Sequence, residues 1–181
     1  MSRATKWLII RTIALIASIG IAYVVLQDPF KALEAHTAVA LAQLLGYGDH
    51  VTFLAPSAVI VSPYTKAAFL AIVTPSCSAL ASALSLIVLG SVAPRTPPYR
   101  RLLATTAAIA TVVLGNLLRI TLALVVGVYA GRSSTVLFHD WVGSTFTFVY
   151  TLAGFMVLLG ILMPSRRAPA ERVEEHDVIV I

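Results

Sequence analysis

The sequence is short of charge. Only 12% of its 181 residues are Asp, Glu, Lys or Arg, where soluble domains carry roughly a quarter. That scarcity excludes an ordinary water-soluble domain. Cysteine is nearly absent too: Cys77 stands alone, so neither an intramolecular disulfide nor a Cys-x-x-Cys redox pair can form. No cluster of metal-ligand spacing and no glycine-rich phosphate loop occurs, so no metal and no cofactor are expected. Internal repeats and low-complexity tracts are also missing, which points to one compact unit over residues 1–164.

What fills the chain instead is apolar. Hydrophobic residues make up 59% of it and the mean hydropathy is +0.92. Four long runs stand out, Leu8–Leu26, Ala67–Val92, Leu102–Tyr129 and Trp141–Met163. Each meets the roughly 20 residues needed to cross a ~30 Å hydrocarbon core. The expected fold class is an all-α integral membrane protein of about four transmembrane helices. Arg3 and Lys6 before the first run resemble a signal peptide, but Arg11 interrupts the run and no A-x-A site precedes Gln27-Asp28-Pro29. An uncleaved anchor is the reading taken. The tail 165–181 is polar, with Glu171, Glu174, Glu175 and Asp177, and is expected to be disordered.

Orientation follows from the basic residues, which concentrate on the cytoplasmic side. With both termini inside, Arg3, Lys6, Arg11, Arg95, Arg100, Arg101, Arg166, Arg167 and Arg172 are cytoplasmic, against Lys31, Lys66 and Arg132 outside. The net charge of +5 then reflects topology and membrane lipids rather than nucleic acid. Phe30–Gly46 is helical in pattern, with Phe30, Leu33, Thr37, Leu41 and Leu44 on one stripe and Lys31, Glu34 and Gln43 elsewhere. As a fifth span it would invert everything downstream, so an interfacial or re-entrant helix on the outer face is preferred. His50–Leu54 and Ala58–Ser62 flank Ala55-Pro56-Ser57 and read as a short outer β-hairpin. Trp141 and Tyr129 suit the outer aromatic belt and Trp7 the inner one.

Three polar elements interrupt the apolar background. A lone cysteine in a span is commonly a small buried hydrophobe. In Thr74-Pro75-Ser76-Cys77-Ser78, however, Thr74 reads as an N-cap and Pro75 as the first helical residue. Cys77 would then lie in a first helical turn, where the helix dipole favours the thiolate. An unbroken helix kinked at Pro75 would bury it deeper. Arg119 lies inside a span, where an arginine faces the bundle interior. Asn116, one turn earlier on the same face, could orient its guanidinium, or both could serve as a packing clamp. His139 opens the last span; Asp140 beside it reads as an N-cap, pointing too far round the helix to orient the imidazole. His36, His50 and His176 have no neighbouring motif. At ~1.5 Å per residue, Cys77, Arg119 and His139 stand ~22, ~26 and ~36 Å above the inner ends of their spans, all near the outer leaflet.

The ordered set Cys77-Ser78, Asn116-x-x-Arg119 and His139-x-x-x-Gly143, each on its own span, resembles the exosortase/archaeosortase family over roughly residues 40–163. The resemblance implies a cysteine transpeptidase of the cell membrane with its site facing outward. Cys77 would be the nucleophile, His139 the proton-transfer residue and Arg119 the third catalytic residue, with Asn116, Ser78 and Gly143 in support. Its partners would be surface proteins bearing a C-terminal motif, a transmembrane helix and a basic cluster. The acceptor would be water, a lipid or a glycan. Ala79 stands where the family commonly has glycine, and many members are longer. A non-enzymatic assembly factor or transporter subunit is the alternative from another class.

Overall fold

The computed structural model describes residues 3–64, 66–93 and 96–163. The side-chain roles assigned to Arg3, Lys6, Trp7 and Arg11, and the expectations for Arg95 and for residues 165–181, lie outside what is described. The chain is mostly helical. Helix α1 spans Arg3–Ala42 and continues as a π-helical turn, Gln43–Tyr47. Strands β1 (Val51–Leu54), β2 (Ala58–Val61) and β3 (Phe69–Ile72) follow. A 3₁₀ turn, Pro75–Cys77, leads to α2 (Leu80–Val92) and α3 (Pro98–Ala130). The last stretch is helical from Arg132 to Leu162: α4 (Arg132–Leu137), a π turn (Phe138–Val142) and α5 (Gly143–Leu162).

The all-α membrane class holds, with three helices long and apolar enough to cross a bilayer: Ile13–Tyr47, Pro98–Ala130 and Arg132–Leu162. The fourth expected span is shorter than its apolar run. Residues 69–72 of that run are strand β3, and α2 has 13 residues, about 20 Å of helix against a ~30 Å core. Apolar runs do not reveal this break, because a buried strand and a buried helix share one composition.

The expected interfacial helix is the C-terminal end of α1. Pro29 sits inside that helix without ending it; a proline removes one hydrogen bond and bends a membrane helix rather than stopping it. Of the expected stripe only Phe30 packs against a core; the leucines point the other way. Leu33, Leu41 and Leu44 are exposed, and Glu34, Ala35, Ala38, Val39 and Ala42 are buried. In a bilayer large apolar side chains can face lipid, while small and polar residues turn toward protein.

The expected hairpin is present, with Val51 opposite Val61 and Leu54 opposite Ala58. β3 extends it to an antiparallel sheet of order β1-β2-β3, pairing Ala58 with Ile72. Val51, Val59, Val61 and Val73 pack with Ala35, Ala38, Val39 and Ala42 of α1 and Ile120, Leu124 and Val128 of α3. A second apolar core joins Ala79, Leu86, Ala104, Ala108, Val112, Tyr150 and Leu158. Both cores are threaded by one stripe of α3, in which Ala104, Ala108, Val112, Asn116, Ile120, Leu124 and Val128 recur every fourth residue. Asn116 and Arg119 form the polar layer between them.

Candidate active site

That polar layer opens into a cavity of about 230 Å³ whose wall includes Thr74, Cys77, Arg119 and His139. The rest of the wall is largely apolar, with Ile72 at the end of β3 and Val73 after it, Ile120 and Leu124 of α3, Val136 of α4 and Phe138 of the π turn. The three side chains singled out from the sequence therefore share one chamber, although Arg119 lies on α3, well separated along the chain from both Cys77 and His139.

Cys77 is the last residue of the 3₁₀ turn and is 7% exposed. It is not in the first turn of a long helix, as its sequence context suggested, since α2 begins only at Leu80. The turn is closed by the Cys77 N–H donating to the Thr74 carbonyl at 2.9 Å. Thr74 makes no side-chain cap; its hydroxyl lies 3.0 Å from Cys77 Sγ. On the other side His139 Nε2 lies 2.8 Å from Sγ. Burial pushes the Cys77 thiol up, but the hydrogen bonds from Thr74 and His139 outweigh it, and the thiol ends below its ordinary value. Side-chain donors, rather than a helix dipole, favour the thiolate here.

His139 is held in the π turn between α4 and α5. Such a turn inserts an extra residue into a helix and is frequent at functional sites. Gly131, at φ 77°, makes the left-handed turn that starts this last helix nine residues before Asp140, so Asp140 is an interior residue and not an N-cap. Its Oδ1 accepts from His139 Nδ1 at 3.0 Å, contrary to the expectation that adjacent residues diverge too far. The pair is open to solvent, so it contributes under about 1 kcal/mol to stability. Its effect is orientation: with Nδ1–H directed at Asp140, Nε2 is the nitrogen that exchanges a proton with Sγ.

Arg119 is 5% exposed, and its Nη1 is buried without a partner among the described residues. Gly143 accounts for its position. A Cβ there would stand 2.8 Å from Nε and 3.0 Å from Nη2. His139 and Gly143 are one helical turn apart, so one face carries both the imidazole that reaches Cys77 and the gap that admits the guanidinium.

Asn116 is fully buried but does not orient Arg119. Its Nδ2 donates to Glu34 Oε1 at 2.8 Å, and its Oδ1 accepts from Tyr150 Oη at 3.0 Å. Ser78 accepts from the Leu80 N–H at 3.3 Å, helping to start α2. Glu34, Thr74, Asp140 and Tyr150 were not identified as site residues from the sequence. Glu34 alone carried a usable signal: a carboxylate beside Ala35, Ala38, Val39 and Ala42 in an apolar helix invites the same question as an arginine in a span.

The arrangement has what acyl transfer requires: a thiol with a lowered pKa, an imidazole on it and a cationic donor beside it. No curated protein and no solved structure gave a match to the chain. The family model described as transmembrane exosortase matches residues 2–160. With nearly the whole of the helical bundle inside that match, the chain belongs to the transmembrane exosortase family.

Proposed function

We propose that this protein cleaves the C-terminal sorting signals of surface proteins at the outer face of the cell membrane, with Cys77 as nucleophile, His139 as proton-transfer residue and Arg119 as oxyanion donor. Membership of the family makes the chain, at family level, a membrane transpeptidase of protein sorting. One observation supports the residue roles best: the 2.8 Å contact between Sγ and Nε2 lies in the cavity that Arg119 also lines.

In the first step Cys77 Sγ, as thiolate, attacks a peptide carbonyl carbon. The C–S bond forms, negative charge moves to the carbonyl oxygen, and the free N–H groups of Arg119 stabilise it. The C–N bond then breaks, His139 Nε2 gives its proton to the leaving amine, and the anchor helix departs. A thioester remains on Cys77. In the second step His139 takes the proton of an acceptor N–H or O–H, the acceptor attacks the thioester, and the thiolate leaves. Water as acceptor gives a peptidase; a lipid or glycan amine or hydroxyl gives a transpeptidase. The apolar wall favours an apolar substrate side chain beside the scissile bond. The excess of basic residues on one side of the spans supports an outward site and cytoplasmic termini.

The test is Cys77→Ala with a co-expressed substrate carrying the motif, helix and basic cluster. The variant loses a small group and should insert as the wild type does. The substrate should remain full-length and anchored, whereas the wild type should form a hydroxylamine-sensitive thioester. Unchanged processing by an inserted Cys77→Ala would overturn the reading and leave the site a packing device.

A further inference from the structure

The acyl-transfer steps use three side chains, yet the most deeply placed carboxylate of the described residues belongs to none of them. Glu34 is 2% exposed and projects from the buried Ala-rich face of α1. Burying a carboxyl away from water is unfavourable unless it is hydrogen-bonded, so its partners identify its task. One oxygen, Oε1, takes two donors. It accepts from the backbone N–H of Ala79 at 3.0 Å and from Asn116 Nδ2 at 2.8 Å. Ala79 is two residues after Cys77, and Asn116 is three residues before Arg119.

A single carboxylate oxygen therefore ties the segment bearing the nucleophile to the helix bearing the guanidinium. Tyr150 extends the tie to α5: its hydroxyl donates to Asn116 Oδ1 at 3.0 Å and lies 3.2 Å from Thr147 Oγ1. Thr147 in turn donates to the carbonyl of Gly143, the residue against the Arg119 guanidinium. Among the described residues Glu34 does not itself ion-pair with Arg119; Oε2 of the one and Nη1 of the other are both buried without a hydrogen-bond partner there.

We infer that Glu34 is a positioning residue that sets the distance between Cys77 and Arg119 by bonding Ala79 and Asn116 through one oxygen, an inference that rests on the acyl-transfer reading of the site. Hydrogen-bond geometry, not charge, is the quantity it supplies. Reacting groups must be held within about 0.5 Å of the productive geometry, and a displacement of about 1 Å can lower a rate 100-fold.

Two substitutions separate geometry from charge. Glu34→Gln keeps an acceptor oxygen at the same reach but no charge. Glu34→Asp keeps the charge and withdraws the oxygen by about 1.5 Å, one carbon–carbon bond. A third variant breaks the same bond from its other end. Ala79→Pro removes the N–H that Glu34 binds, and the backbone allows it: Ala79 has φ −75° and Ser78 before it has ψ 143°, both suited to proline. Each variant is purified full-length in detergent. Processing of the tripartite-signal substrate is measured per inserted molecule, together with the rate at which N-ethylmaleimide alkylates Cys77.

Glu34→Asp and Ala79→Pro should lower kcat by about 10-fold to 100-fold with KM little changed, and Glu34→Gln should recover activity to within about threefold of wild type. Alkylation of Cys77 should slow in the first two and be near wild type in the third. Should Glu34→Asp fail to insert, Ala79→Pro carries the decision. Wild-type kcat in an inserted Glu34→Asp or Ala79→Pro, or a larger loss in Glu34→Gln than in Glu34→Asp, overturns the inference. Reduced abundance with wild-type kcat per inserted molecule overturns it too, in favour of a purely structural role. Failure of the acyl-transfer reading is separate, because it shows as processing that survives Cys77→Ala.

Discussion

Replacing Gly143 with alanine should raise stability slightly and suppress activity, an opposition that few substitutions outside a site produce. The backbone accepts the change, since Gly143 has φ −60° and ψ −39°, ordinary helical values. Alanine is favoured over glycine in a helix by about 1 kcal/mol. The added Cβ would stand 2.8 Å from Arg119 Nε and 3.0 Å from Nη2, where ordinary contact begins near 3.4 Å. The far end of a flexible side chain gives way most easily, so the guanidinium must retreat by about 0.6 Å, toward or out of the chamber. A shift of about 1 Å can lower a rate 100-fold and loss of one oxyanion donor 10²- to 10³-fold, so a 0.6 Å retreat should lower kcat about tenfold. KM should change little, because the guanidinium is assigned to the transition state and not to the ground state. The assay is processing of a tripartite-signal substrate per inserted molecule in detergent, with thermal unfolding measured on the same preparation. A Gly143→Ala protein that melts at or above the wild-type temperature and processes at the wild-type rate would refute the placement of Arg119 against Gly143 in the reaction. A sharp fall in melting temperature would refute the claim that the guanidinium is what yields.

The other predictions address separate parts of the site. Arg119→Lys should insert normally yet lose about 100-fold or more in kcat, because a compact ammonium does not replace a planar guanidinium fork; wild-type kcat would mean that charge alone suffices. Thr74→Val removes a donor to the sulfur, so the pH midpoint for alkylation of Cys77 should rise. The sign follows from the lowered thiol in the wild type, where burial opposes the thiolate and the Thr74 and His139 hydrogen bonds outweigh it. Alkylation at pH 7 should accordingly slow, and an unmoved or lower midpoint would refute the role given to Thr74. For orientation, reporter fusions after Ser62 and after Arg101 should read opposite sides of the membrane, and a cytoplasmic signal at Ser62 would put the cavity on the wrong side.

Several features were legible before any coordinates because they depend on composition or on local spacing. Scarce charge and long apolar runs imply a membrane bundle whatever the packing. A hairpin between residues 50 and 62 is legible because its turn and its β-branched strands are neighbours in sequence. The choice of Cys77, Arg119 and His139 likewise needed only the rule that polar groups are costly within a span, joined to a family resemblance.

Arg119 faces the bundle interior as expected, but most else that depends on which side of an element meets protein was misread. The stripe of α1 was read as though water lay opposite, when lipid does; Leu33 and Leu41 therefore face outward and Glu34 inward. The apolar run 67–92 could not disclose its division into β3, a 3₁₀ turn and α2, since the partner that makes residues 69–72 a strand is β2. Asp140 was dismissed on ideal helix angles that a π turn does not obey. The tie from Glu34 to Ala79 and Asn116 spans 45 and 82 residues, beyond any periodicity. Sequence alone pointed to the solvent this chain folds in and to most of the side chains proposed to carry its chemistry. Only the tertiary structure decided which donor meets which acceptor, because in a bilayer the hydrophobic effect does not sort helix faces and close packing with hydrogen bonding does.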